Sequence, residues 1–311
     1  MRAVRATDRR VEVVEVDPPT GDGVRVRVAS ASICGSDLHL LAAFPLRATL
    51  GHEFAGWLDD GTPVAVEPLA PCGECAQCTG GDYQRCVLGP AIALGIGRDG
   101  GMADEVLVPE SSIVRLPGGL PVGDACLVEP LAVAVHGVRR GRITPTDRVV
   151  VVGAGAIGLS AVAAIRAIGA RVDLVARHDH QRAVGERLGA STSVSDGYDV
   201  VVDAVGTSAS LDQSIALGRP GARLLMLGTF WGGVEINGLA LCMKEIELIP
   251  SMQYNRSGPS RDVDVAASIL ADDPVIASAL ITHRFPLDAA ADAFAVAADR
   301  ASGAIKVVLE P

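Results

Sequence analysis

Cys72, Cys75, Cys78 and Cys86 follow the spacing C-x2-C-x2-C-x7-C, beginning in Pro71-Cys72-Gly73-Glu74-Cys75-Ala76-Gln77-Cys78. Short gaps of this kind fold into tight turns that aim thiols inward, and four thiolates complete the tetrahedral shell of one zinc ion. A metal with no open position staples a loop and does no chemistry, so the reactive groups must lie elsewhere. Disulfide pairing is the competing reading, disfavoured in a chain expected to have no secretory signal and therefore to keep its thiols reduced. A second set of ligand types stands upstream, in Ser32-Ile33-Cys34-Gly35-Ser36-Asp37-Leu38-His39 and Leu50-Gly51-His52-Glu53-Phe54-Ala55-Gly56. Cys34, His52 and Glu53 fit a catalytic zinc with three protein ligands and one open position. Neighbours on a regular strand point to opposite faces, so His52 and Glu53 both reach one ion only where the backbone bends.

A third constellation suits phosphate. Arg148-Val149-Val150-Val151-Val152 leads directly into Gly153-Ala154-Gly155-Ala156-Ile157-Gly158, and a helical pattern then runs to Gly169. In this strand-to-helix setting Gly153 permits a tight turn, Gly155 admits a pyrophosphate to the backbone, and Gly158 lets helix and strand pack closely. The helix start at Ala156 and Ile157 offers unpaired N–H groups to the phosphates. The end of the next strand selects the dinucleotide, because a carboxylate there pairs with the ribose of NAD. The sequence instead reads Leu174-Val175-Ala176-Arg177-His178. Small Ala176 followed by Arg177 suits a 2′-phosphate, with His178 or Arg182 assisting, so NADP is favoured over NAD. The alternative is a solvated Arg177, with Asp173 or Asp179 taking the acidic role.

These groups need elements to hold them. Val11-Glu12-Val13-Val14-Glu15-Val16 and Val24-Arg25-Val26-Arg27-Val28 alternate with period two, and the same texture returns at 62–66 and 104–108. Antiparallel strands with one wet face give this pattern, so the first 120 residues or so form a β-rich domain carrying the four-cysteine lobe, about 71–87. From Arg148 the texture changes to buried strands alternating with helices: Val172–Val175, Val200–Asp203 and Arg223–Leu227, with a helix over 208–217 stopped by Gly218. That alternation predicts a doubly wound parallel sheet. The pattern ends near Tyr254. A helical run at 261–270, Ile281–Phe285 and a terminal strand over 305–309 are expected to return and complete the first domain.

The motifs together resemble the zinc-dependent medium-chain alcohol dehydrogenase superfamily, in its sorbitol, threonine and polyol dehydrogenase branch. The Cys34 motif, Gly51-His52-Glu53, the four-cysteine lobe, Val128-Glu129-Pro130-Leu131, the dinucleotide glycines and the Lys306 strand occur in the family's order. The resemblance implies an α/β fold, a GroES-like β-rich catalytic domain (1–128 and 257–311) interrupted by a doubly wound Rossmann domain (129–256). It implies Cys34 and His52 as catalytic zinc ligands, ranked above Glu53 and above Glu129, which supplies or orients the remaining ligand. It implies that Asp37 orients the His52 imidazole, with a helix or turn cap as the alternative. Ser36 and His39 resemble a hydroxyl-to-imidazole proton relay. Gly35 replaces a basic residue that some relatives use on the pyrophosphate, which makes Lys306 a candidate for that contact.

Two zinc ions per chain, one catalytic and one structural, and a nicotinamide dinucleotide are therefore expected. The expected reaction is hydride transfer between a secondary alcohol of a polyol or sugar-like substrate, or its ketone, and NAD(P). A threonine-type amino alcohol is the alternative substrate, and a non-catalytic nucleotide-binding regulator the alternative class. A regulator would be free to lose Cys34, His52, Ser36 or His39, and all are present. The 311 residues carry a formal charge of −10 without a local basic run, so nucleic acid is not an expected partner. No apolar run has the length of about 20 residues that spans a bilayer, and the chain reads as cytoplasmic. The family implies a homodimer or homotetramer. Cys126, Cys242, His136 and His283 read as structural, and Phe44, Phe54, Trp231 and Tyr254 as packing or pocket residues.

Overall fold

The computed structural model describes residues 1–299 and 301–311. The chain divides into two compact units, Met1–Glu129 with Asn255–Pro311, and Pro130–Tyr254. The crossings thus fall at 129/130 and 254/255, where the sequence placed them at 128/129 and 256/257. The return lies earlier because Asn255 is already tied into the first unit: its backbone N–H donates to Asp262 Oδ2 at 2.7 Å and its side chain to Asp82 Oδ1 at 3.2 Å.

In the first unit a hairpin, Arg2–Thr7 with Arg10–Glu15, precedes a seven-stranded sheet. The sheet runs Ile281–Pro286, Lys306–Glu310, Val24–Ser32, Glu53–Trp57, Pro63–Val66, Ile113–Arg115, with Glu105–Val108 also paired to Val24–Ser32. Val24–Ser32 is its organising strand. Its first half pairs with Glu105–Val108, its second half with the chain's last strand, and its other edge with Glu53–Trp57. The terminal segment therefore completes this unit from inside the sheet, with Ile33 N–H donating to Val307 O at 2.9 Å. Period-two alternation places Val26, Val28, Phe54, Val64, Val106 and Leu309 in one core.

The second unit is a parallel five-stranded sheet in the order Glu247–Pro250, Gly218–Met226, Tyr198–Asp203, Arg148–Val152, Arg171–Val175. Val149 to Val152 are all buried, as a parallel strand covered on both faces requires. A further strand position beyond Arg171–Val175 is reduced to one bridge, Asp173 with Ser191. Counting that bridge, the order is that of a doubly wound dinucleotide fold. The helix Ser208–Leu217 ends at Gly218, whose φ of −69° is extended and not left-handed. The edge strand Glu247–Pro250 has no clear period and is absent from the sequence expectation. Among the described residues, no helix is long and apolar enough to cross a membrane.

The strand Arg148–Val152 reverses order with its neighbours, and the turn after it carries the glycines. Gly153 has φ +102°, a left-handed conformation that disfavours a side chain. A Cβ on Gly158 would lie 1.9 Å from Gly153 O, whereas one on Gly155 would meet no heavy atom within 4 Å. Gly158→Ala is accordingly expected to lower unfolding free energy by about 1–3 kcal/mol. Gly155→Ala should stay within about 0.5 kcal/mol of the parent. Urea unfolding followed by circular dichroism checks the pair, and equal losses would contradict the packing described.

Candidate active site and metal centres

The first ligand set is built where Val24–Ser32 runs out. Cys34 immediately precedes the helix Gly35–Ala43, which begins the next element and presents Ser36, Asp37 and His39 on its first two turns. His52 lies in a bend between Gly51, with φ +97°, and the strand starting at Glu53. That bend breaks the alternation of a regular strand, so His52 and Glu53 point into the same space. Ligand atoms of Cys34, His52 and Glu53 all lie within 4.8 Å of one another. A thiol, an imidazole and a carboxylate gathered so closely, with His52 and Glu53 buried, are the donor types that zinc takes in a catalytic site.

Asp37 is 1 % exposed and serves both roles considered for it. Its Oδ2 accepts from Cys34 N–H at 2.9 Å, a helix-start contact. Its Oδ1 lies 3.2 Å from His52 Nδ1, in an alignment too poor for a hydrogen bond. Burial alone would lower the His52 pKa, but the Asp37 carboxylate and then Cys34 raise it well above the ordinary histidine range. With Nδ1 facing the Asp37 carboxylate, Nε2 is the ring nitrogen left for an ion. Ser36 Oγ stands 3.3 Å from that Nε2. His39 is exposed one helical turn beyond Ser36.

Lys306 departs from expectation. Its side chain is 2 % exposed and its ammonium binds Glu53 Oε1 at 2.5 Å, Glu53 Oε2, and Ile33 O at 3.2 Å. Ser32 Oγ also donates to Glu53 Oε2. Burial would discharge the lysine, but Glu53 and Cys34 hold its pKa well above the usual value, with Glu129 adding to them. Lys306, expected as a pyrophosphate contact, is thus placed inside the sheet, with its ammonium directed at Glu53 and Ile33 O. Glu129, 8 % exposed in the first turn of the helix Val128–Arg140, falls outside the group of three ligands.

The second ligand set, Cys72, Cys75, Cys78 and Cys86, also has its sulfurs within 4.8 Å of one another. Neighbouring sulfurs are 3.5, 3.6 and 3.8 Å apart. Zinc–sulfur bonds of about 2.3 Å in a tetrahedron separate sulfurs by about 3.8 Å, so the thiols fit that ion. Backbone N–H groups of Val87 and Cys78 pull the Cys75 thiol down to about 6, while burial pushes Cys78 up to about 12. The lobe is anchored by Tyr83, whose hydroxyl donates to Glu67 Oε1 at 2.5 Å, and Glu67 Oε2 pairs with Arg261 at 3.3 Å. Burial raises the Glu67 pKa, which the Tyr83 hydrogen bond and Arg261 oppose.

In the second unit, Gly153, Gly155 and Gly158 form the turn into the helix Ala156–Ala167. Space at the Gly155 Cβ position that no protein atom fills is what a pyrophosphate lying on the backbone requires. Arg177 and His178 are exposed after the strand Arg171–Val175, and His178 stacks on His180 at 5.5 Å. Arg182 donates to Ala176 O at 2.8 Å and pairs with Asp179. Asp173 accepts from Tyr198 at 2.5 Å. Both acidic alternatives for the ribose are thus engaged by the protein. Sequence reasoning missed Asp203, fully buried at a strand end, where it accepts from the N–H groups of Val205 and Gly206 at 2.8 and 2.9 Å and from Ser210. Its position at the end of a valine run was the available signal.

Phe54 and Tyr254 are buried and belong to packing, while Phe44 and Trp231 are exposed. Cys126 is a core thiol pushed up to about 11 by burial, and Cys242 is exposed, contrary to its expected core place.

Comparison with known proteins shows the family. The family described as alcohol dehydrogenase GroES-like domain matches residues 20–118, and that described as zinc-binding dehydrogenase matches 156–271. Galactitol 1-phosphate 5-dehydrogenase of Escherichia coli (strain K12) is 28% identical, across 93% of this chain and 94% of its own. A candidate zinc-binding dehydrogenase from Sinorhizobium meliloti 1021, solved with NADP, is 30% identical with a TM-score of 0.86, covering 100% of this chain and 99% of that one. An alcohol dehydrogenase from Escherichia coli CFT073, solved with NADH, is 26% identical with a TM-score of 0.88, again over 100% and 99%. A GroES-like unit joined to a Rossmann-type unit is the fold of the zinc-binding dehydrogenases. The chain belongs to the zinc-dependent medium-chain alcohol dehydrogenase superfamily, in its polyol-type branch. It is an oxidoreductase of the zinc and nicotinamide class.

Tyr83→Phe deletes the donor that Glu67 receives from the lobe and leaves a buried carboxylate short of one hydrogen bond. Its unfolding free energy should fall by about 1–3 kcal/mol in urea. An unchanged midpoint would show that the lobe is not anchored there.

Proposed function

We propose that the chain is an NADP-dependent dehydrogenase with two zinc ions, interconverting a secondary alcohol of a polyol or sugar-like substrate and the ketone. The observation that carries this reading is the convergence of Cys34, His52 and Glu53 within 4.8 Å. Cys34 and His52 would hold the catalytic ion, and Cys72, Cys75, Cys78 and Cys86 the structural one. When bound, the catalytic zinc supplies Lewis-acid polarisation of the substrate oxygen and the nicotinamide accepts or gives the hydride. The chain's own work is positioning and proton movement. Asp37 fixes the imidazole plane. Ser36, half-buried beside His52, takes the hydroxyl proton, and exposed His39 one turn further passes it to solvent.

The preference for NADP rests on what surrounds the end of the strand Arg171–Val175. Arg177 extends into solvent, His178 and His180 add two further donors, and Asp173 and Asp179 already have partners. A 2′-phosphate would meet a guanidinium there, and a bare ribose would find no spare carboxylate. Nicotinamide fluorescence should show NADPH bound more tightly than NADH by the zinc-loaded protein. Arg177→Ala should cost at least tenfold for NADPH, the value of a lost charged hydrogen bond at about 1.5–3 kcal/mol. Cys34→Ser should keep that binding and lose polyol turnover. Tighter NADH binding that ignores Arg177 would reject the NADP assignment.

A homo-oligomer is the second part of the proposal. The strand Glu247–Pro250 is the sheet's edge, and the segment around it exposes Trp231, Leu239, Met243, Leu248 and Met252. An open edge beside apolar side chains is suited to a second copy related by a two-fold. Light scattering should give at least a dimer, and Leu248→Lys should shift it toward monomer. A monomeric parent would overturn the assignment.

A further inference from the structure

We propose a second binding site, apart from the metal centre, that takes a small aliphatic zwitterion of the α-amino acid class: a cavity of the first unit onto which two uncommitted arginines and two uncommitted aspartates open.

The cavity has a volume of about 510 Å³, within the range of roughly 300–1,000 Å³ in which small-molecule sites fall. It is lined by Arg5 of the strand Arg2–Thr7, by the connection over 16–22 that follows the hairpin, and by the loop over 98–100. All of its lining residues belong to Met1–Glu129, and Cys34, His52 and Glu53 are not among them. Its charged side chains are Arg5, Arg98, Asp17, Asp22, Asp99 and Glu105. The fold already uses two of these. Asp99 Oδ1 accepts from Thr49 N–H at 2.7 Å, and Glu105 Oε1 accepts from Arg25 at 2.5 Å.

The other four have no such commitment. Arg5 Nε is buried without a hydrogen-bond partner, and Arg5 Nη2 stands 4.0 Å from Asp99 Oδ1, beyond hydrogen-bond reach. With the side chain 38 % exposed, this guanidinium still presents donors that lack an acceptor. Among the described residues, neither the Arg98 guanidinium nor the carboxylates of Asp17 and Asp22 have a hydrogen bond or an ion pair. A carboxylate supplies the acceptors, since it takes guanidinium N–H groups in parallel pairs.

Charge balance selects the rest of the ligand. A simple anion would be drawn to Arg5 and Arg98 but repelled by Asp17, Asp22 and Asp99, and a simple cation would meet the reverse. A molecule carrying both charges pairs with each set, and partial removal from water strengthens both pairings. Val16, Pro18, Pro19, Leu94, Val106 and Leu107 give the cavity apolar lining for an aliphatic body. Carboxylate, ammonium and aliphatic chain together define the amino acid class.

Titration calorimetry of the full, zinc-loaded protein tests this with three probes that share one body. L-leucine carries both charges, 4-methylpentanoate only the carboxylate, and 3-methylbutylamine only the ammonium. Leucine should bind with a Kd of about 1 mM or tighter, and each single-charge probe at least tenfold more weakly. Arg98→Gln and Asp22→Asn, both at exposed positions and so harmless to folding, should each weaken leucine at least tenfold. Cys34→Ser should leave leucine binding unchanged. No saturable heat from leucine at about ten times the expected Kd would show four solvated charges around an empty groove and overturn the proposal. Equal binding of a single-charge probe, or indifference to both Arg98→Gln and Asp22→Asn, would overturn it as well. Loss of leucine binding in Cys34→Ser would place the amino acid on the metal centre instead, which rejects the second site and leaves the dehydrogenase reading intact.

Discussion

A lysine and a glutamate buried together between three strands impose the tightest constraint on this protein. Lys306 and Glu53 are 2 % and 0 % exposed, and neither charge is tolerable there without the other. Satisfying the pair requires the last strand of the chain to lie beside Val24–Ser32, with Glu53–Trp57 on the other side. That requirement brings residues 253 positions apart into contact. It also determines where Cys34 emerges, since Cys34 follows Ile33, whose N–H and C=O are both held by the terminal strand. The position of the candidate metal ligand Cys34 is thus set by the closure of the sheet.

Around that point the local chemistry follows from small backbone departures. Gly51, at φ +97°, allows the bend that turns His52 toward Glu53. A Cβ at Gly51 would stand 2.8 Å from Met102 N, so the bend and the packing beneath it are one feature. Asp37 links the start of the following helix to the imidazole, which makes helix placement and ring orientation interdependent. In the second unit the same economy applies to Asp203, whose three hydrogen bonds shape the loop after its strand while Gly153 shapes the loop beside it.

The four-cysteine lobe is joined to the first unit by polar contacts. Tyr83 reaches Glu67, Asp82 receives Asn255, and Arg261 joins Glu67 to Asp264 and to the carbonyls of Ser111 and Ile113. Asn255 is the first residue of the segment that returns to this unit, so the lobe and the return segment share their anchors. A staple without catalytic chemistry is consistent with that placement.

Much of this was legible in the sequence. The thiol spacing, the glycine turn after a valine strand and the alternating runs of the first domain each depend on local geometry, which neighbouring residues encode. The lobe, the helix over 208–217 and the strand carrying Lys306 were readable for that reason. Partnership across the sheet was not. Lys306 reads as a candidate phosphate contact because a lone lysine near a chain end carries no local sign of its partner. Only the pairing of three distant strands hands its ammonium to Glu53. Asp173 likewise reads as an alternative for a ribose until Tyr198, 25 residues further on, is seen to occupy it. Residue type and spacing determined which chemistry the chain can perform. The tertiary structure decided which charged groups remain free to perform it, because a buried charge is committed to whichever opposite charge folding places beside it.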